Sequence, residues 1–144
     1  MNFTEIIRNA KEAADPGVIA RAIPYSNFIG IDAHLDGDAV VCTIPGDDMI
    51  VGNPVLPAIH GGVIGAFPEH AALMLLMWEL APGQPPKAIN VSIDYLRSGK
   101  LEKTFAQGKV TRQGRRVANV QAEAWQADPD MPIVVAHGHF LITD

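Results

Sequence analysis

The chain has 144 residues, 48% of them apolar and 19% charged, which suits a single folded domain over residues 1–144 and excludes a disordered tail. Lys and Arg number 11 against 16 Asp and Glu, a net charge of −5. A nucleic-acid binder carries the opposite excess, so none is expected as a partner. The only cysteine, Cys42, excludes an intrachain disulfide and a cysteine-ligated zinc cluster.

The first residues, MNFTEIIRNAKEAA, lack the apolar core of a secretory signal. The longest unbroken apolar run, Ala71 to Trp78, is eight residues against the roughly 20 of a membrane span. The expectation is a cytoplasmic protein with no membrane partner. Phe3, Ile6, Ile7 and Ala10 recur at helical spacing, so residues 2–14 read as an amphipathic helix stopped at Asp15-Pro16-Gly17, within an N-terminal helical extension over residues 1–20. Ile23 to Leu35 reads as a strand entering at Pro24. Asp36-Gly37-Asp38 turns it into a return strand, Ala39 to Ile44. Pro45 to Asp48 is a turn, and residues 49–60, with two prolines and a glycine, form a loop.

The segment GGVIGAFPEHAALMLLMWEL is apolar nearly all round. Such a helix is buried on every side, and in a chain this small a sheet has to wrap around it. Pro68 is expected to kink it. After residue 87 the period changes to two. Ile89, Val91, Ile93 and Tyr95 alternate with polar neighbours, and strands follow over 101–113, 115–126 and 133–142. Helices and strands are segregated, which predicts an α+β fold with an antiparallel sheet curled around a long central helix.

Chemistry concentrates at His60-Gly61-Gly62 and Glu69. Paired glycines at a loop-to-helix junction let the backbone approach a ligand. The first helical turn offers unpaired N–H groups and a positive dipole end, so an oxyanion fits beside the Gly61 N–H. Glu69 stands among Ala66, Phe67, Ala71 and Leu73. A carboxylate there is either a partly solvated or interface group, or a general base or nucleophile.

HGGVIGAFPEHAA resembles the His-Gly-Gly-plus-carboxylate motif of hotdog-fold acyl-CoA thioesterases, in particular the phenylacetic-acid-degradation subfamily. In that family an Asp or Glu follows the motif histidine by nine residues, as Glu69 follows His60. AINVSIDYLRSG and GKVTRQGRRVANVQAEAW resemble the family's later strands and its Gly-Arg turn. The resemblance covers roughly residues 24–143. It implies a hotdog fold and hydrolysis of a short- or medium-chain or aryl acyl-CoA to free acid and CoA. Glu69 would be nucleophile or general base, Gly61 the oxyanion donor, and His60 a residue shaping the site. It further implies a site formed across a homodimer or a dimer-of-dimers tetramer, with CoA along the neighbouring subunit and no metal or other cofactor. Asn53, Gly62, Arg97, Arg115 and Arg116 are the expected substrate contacts, the arginines because a planar guanidinium suits phosphate. The chain departs from the family pattern at Pro54 and Pro57, where Asn and Gly are usual, and at Ala88, where Ser or Thr is usual.

The arginines equally suit a solvated sheet edge. His137 and His139 share a strand face, but no third ligand is placed with them, so they read as surface histidines. His70 points about 100° away from Glu69 on a helix and is not its partner. Met74, Met77 and Trp78 read as core or as an acyl pocket. Two alternatives stand beside the thioesterase. One is a non-catalytic acyl-CoA-binding protein. The other is an acyl-thioester dehydratase, suggested by GNPVLPA, although that chemistry needs a histidine upstream of the segment and residues 35–52 contain none.

Overall fold

A computed structural model of the chain describes residues 2–143. Helix α1 (Phe3–Glu12) starts at Asn2, whose side chain accepts the Glu5 N–H, and buries Ile7 and Ala10. The expected strand from Ile23 is absent. After a short helix α2 (Gly17–Ala22), a second one, α3 (Pro24–Ile29), occupies that stretch, and strand β1 begins only at Asp32. The reason is local. Pro24 at the first helical position is preorganised for a helix, and Gly30, at φ 82°, closes α3 in a left-handed conformation. Arg21 then ties α2 to the sheet, with its guanidinium 2.7 Å from Asp15 and 2.8 Å from Asp32.

Strands β1 (Asp32–Asp36) and β2 (Ala39–Ile44) form the hairpin. Asp36 pairs with Ala39 across a two-residue loop, where Gly37 has φ 61°. The expected loop at 49–60 is more ordered than a loop. It holds a 3-10 turn (Asp48–Ile50) and a small ladder of β3 (Val51–Asn53) and β4 (Ala58–Ile59). Helix α4 (Gly61–Leu80) follows, then β5 (Lys87–Tyr95), β6 (Thr104–Gln113), β7 (Val117–Trp125) and β8 (Val134–Leu141).

The main sheet has six antiparallel strands in the order β1-β2-β6-β7-β8-β5. It wraps α4, which touches β2, β6, β7 and β8. The inward faces of β6 and β7 are built from small residues, and this sets how close the helix comes. A methyl added at Gly108 would stand 3.3 Å from the Ala72 Cα. This is the hotdog arrangement that the sequence resemblance implies.

The sheet alone does not bury the helix. The N-terminal helices cover another flank, where His70 Nε2 lies 3.1 Å from the Ser26 hydroxyl of α3. Phe67, Met74 and Leu76 have no exposed surface. By length and composition α4 could also span a bilayer, but most of its best apolar window is buried inside this fold. The helix runs on through Pro68, itself fully buried, so the expected kink does not interrupt it.

One stripe of α4 is left uncovered. Ala66, Glu69 and Leu73 are only partly buried. At 100° per residue they lie beside the face that Gly61 and Gly65 turn toward β5. Strand β5 is one of the two edges of the sheet, β1 being the other, and it is exposed along most of its length, Ile89 and Tyr95 included.

Candidate active site

His60 caps α4 with its own ring, Nδ1 accepting the Gly62 N–H at 2.9 Å. Its backbone C=O accepts the N–H groups of Val63 and Ile64 at 3.0 and 3.1 Å. The first turn is therefore satisfied at three of its four donors. The Gly61 N–H is the donor left without an acceptor among the described residues. The space around it is open: a methyl built at Gly61 would meet only Tyr95 Cε1, at 3.9 Å. Nothing in the fold requires glycine there, since its φ is ordinary. At Gly62 a methyl would come 2.9 Å from His60 Nδ1, so that glycine serves the cap.

A cleft of about 270 Å³ lies beside Gly61. Ile59, Ile64, Tyr95 and Leu96 give it apolar walls, and Arg97 and Ser98 stand at its edge. Arg97 reaches it with its guanidinium bonded to the Pro132 carbonyl. A larger cleft, about 420 Å³, opens where β2 and β6 diverge over Leu75 and Glu79, away from these groups.

Glu69 is partly buried and has no hydrogen bond or ion pair among the described residues. It does not line the Gly61 cleft. Eight residues of helix separate it from Gly61, about 12 Å along the axis. The structure thus keeps Gly61, Gly62 and His60 together and holds Glu69 two turns away in the same chain.

The other expected contacts are scattered. Asn53 is occupied locally, its Oδ1 accepting the N–H groups of Val55 (3.0 Å) and Leu56 (3.3 Å). Arg115 and Arg116 sit in the exposed β6–β7 turn without an ion pair among the described residues, beside clefts shared with Ile142 and Thr143. That turn is at the opposite end of α4 from Gly61. Phe67 and Met74 pack in the core, and Trp78 lies under the Lys11 ammonium, 4.1 Å from its ring.

Two further groups take no part in chemistry at the cleft. His70 is held neutral, burial pushing it down to about 4. The Cys42 thiol is pushed up to about 12 by burial and stays protonated. His137 and His139 lie on the outer sheet face, His139 bonded to Asn90 at 2.7 Å. Among the described residues no group of three His, Cys, Asp or Glu side chains could hold a metal.

Sequence reasoning missed Tyr95. Its hydroxyl donates to the Gly61 carbonyl at 2.8 Å. The available signal was Gly65, four residues after Gly61 on the same helical face, which marks a close approach by a neighbouring element. A methyl at Gly65 would stand 2.7 Å from the Tyr95 hydroxyl and 3.0 Å from Ile93 Cδ1.

The family model of the thioesterase superfamily matches residues 56–133, a span that contains both Gly61 and Glu69. No curated protein matches the chain. Among solved structures, a Chromobacterium violaceum protein is 36% identical, with 99% of this chain and 96% of that one covered and a TM-score of 0.75. A phenylacetic acid degradation-related protein from Ralstonia eutropha JMP134 is 21% identical over 99% of this chain and 100% of its own, at TM-score 0.76. A Bacillus halodurans protein whose crystal structure is with CoA is 18% identical over 99% and 91%, at TM-score 0.75. The last two show likeness of fold.

Proposed function

Because the chain belongs to the thioesterase superfamily, we propose that it is an acyl-CoA thioesterase, hydrolysing a short- or medium-chain or aryl acyl-CoA to the free acid and CoA. The observation that carries this reading is Gly61: one open N–H at a helix N-terminus, with room where a side chain would stand. A thioester carbonyl seated there gains a hydrogen bond that strengthens as its oxygen becomes negative. Glu69 supplies the second function. As a base it takes a proton from water while the water oxygen attacks the carbonyl carbon; the C–S bond then breaks and the CoA thiolate is reprotonated. As a nucleophile its carboxylate oxygen attacks the carbonyl carbon, the C–S bond breaks to release the CoA thiolate, which is reprotonated, and water opens the resulting mixed anhydride to the acid and free Glu69.

The distance of about 12 Å between the two groups shapes the proposal. Both must reach one carbonyl, which they cannot do within a single chain. A second copy of the chain resolves this if it pairs along the free edge of β5. A two-fold axis at the level of Gly65 sets Gly61 of one copy opposite Glu69 of the other, since each lies four residues from Gly65.

The same symmetry gives the exposed arginines a role. Lys87 of β5 and Val117 of β7 both pair with Leu141, so the Arg115–Arg116 turn is at the Lys87 end of the sheet. Antiparallel pairing of β5 with its copy points that end of the second copy toward the first copy's Gly61. Arg115 and Arg116 then suit the phosphates of a CoA whose thioester lies at Gly61. The Bacillus halodurans structure with CoA supports this choice of carrier.

The test is free-thiol release from short, medium, long and aryl acyl-CoAs by the wild type and by Glu69→Gln. Turnover by the wild type and a loss of about 10²–10⁴-fold in Glu69→Gln, with the fold intact, is the expected result. No turnover with any thioester would overturn the proposal in favour of a binding protein.

A further inference from the structure

We propose that Tyr95 is a positioning residue, which holds the Gly61–Gly62 peptide so that the Gly61 N–H stays aimed into the cleft. This rests on reading Gly61 as the oxyanion donor. Both polar atoms of that peptide are engaged from outside the helical ladder. Its carbonyl accepts the Tyr95 hydroxyl at 2.8 Å, and its N–H donates to His60 Nδ1 at 2.9 Å. The preceding peptide is fixed at its carbonyl by Val63 and Ile64, which leaves its N–H, that of Gly61, as the free donor between two pinned groups.

The Tyr95 bond is not needed to satisfy a buried carbonyl. In an α-helix the Gly61 C=O already serves the N–H four residues on, and both glycines at the helix start are exposed. What the bond adds is direction. Gly–Gly is the most conformationally free dipeptide in the molecule's repertoire, and a flexible donor would have to be ordered anew in each turnover. The helix makes room for the hydroxyl at its own cost, by carrying glycine at position 65, where a methyl would meet that hydroxyl at 2.7 Å. Tyr95 also joins this edge of the sheet to the helix start, since it is the last residue of β5.

Two substitutions break the bond from opposite sides. Tyr95→Phe keeps the ring and removes the hydroxyl. Gly65→Ala keeps the hydroxyl but pushes it off the Gly61 carbonyl. Each is expected to lower kcat about tenfold, the scale of one hydrogen bond, with KM changed less than about twofold. The double variant is expected to be no worse than either alone, because both remove one interaction. NMR gives a readout independent of turnover: in both variants the Gly61 and Gly62 amide resonances shift, and the Gly62 amide exchanges faster. Unchanged amides, an effect confined to KM, or additive losses in the double variant would each overturn the proposal. Absence of wild-type turnover would instead refute the thioesterase reading, and the amide signals would still decide the role of Tyr95.

Discussion

Gly61→Ala separates function from stability at a single atom. A methyl there has one neighbour within 4 Å, Tyr95 Cε1 at an ordinary contact distance of 3.9 Å, so the substitution introduces no clash. Alanine is a better helix former than glycine, and the gain is up to about 0.5–1 kcal/mol, less at a first-turn position than in the interior. The same methyl fills the space through which a thioester approaches the open N–H. Losing that donor should cost about 10²–10³ in kcat, or about 2.7–4 kcal/mol of transition-state stabilisation. The expectation is a protein as stable as the wild type in urea, or slightly more so, with nearly all thiol release gone. Gly62→Ala is the contrast. Its methyl stands 2.9 Å from His60 Nδ1, so it should displace the capping ring and lose about 1 kcal/mol of stability. A Gly61→Ala protein that hydrolyses acyl-CoA at the wild-type rate would refute the assignment of this N–H.

Two more predictions follow from the same structure. His70 is neutral in the fold with its pKa at about 4, against 6.5 in the unfolded chain; above pH 6.5 it contributes nothing to the pH dependence. Between there and about 4 only the unfolded chain takes the proton, so stability should fall by up to about 3 kcal/mol, and urea midpoints should fall less steeply with pH in His70→Gln. Arg115→Ala with Arg116→Ala should raise KM for acyl-CoA at least severalfold, with little effect on kcat or on a thioester lacking the nucleotide, as steady-state kinetics on both substrates would show.

The later half of the fold is legible because its patterns are long. Twenty residues of all-round apolarity specify α4, and the alternation in β5 and β7 outlasts any local ambiguity. The stretch from Gly17 to Ile29 is not legible in this way. Two helices of six residues each are too short to show a period, and isoleucines at 19, 23 and 29 look like strand residues. Pro24 and Gly30 carried the better signal, as a helix start and stop. At the site, the residue types at 60, 61 and 69 stand out from their chemistry alone. The direction of Glu69 depends on something distant. The Ser26–His70 contact shows α3 covering one flank of α4, and the sheet covers most of the remainder, which leaves the stripe with Ala66 and Leu73 open. Tyr95 was hidden for a similar reason, since only the placement of β5 against Gly65 brings its hydroxyl to Gly61.

A composite site makes one demand that no single-chain site can meet. If Gly61 of one copy works with Glu69 of the other, two inactive variants should restore each other. In a mixed dimer of Gly61→Ala and Glu69→Gln chains, one site holds both substitutions and the other holds neither. Equal amounts exchanged to equilibrium give mixed dimers in half of the population, each with one of two sites intact. The recovered activity should therefore be about one quarter of wild type, from two parents that have almost none. The assay is thiol release before and after subunit exchange, with light scattering to follow the dimer. Activity that stays at the parental level after complete exchange would place both residues in one chain's site. The helix would then have to bridge about 12 Å by some rearrangement of α4, against the close packing that the sheet and N-terminal helices impose on it.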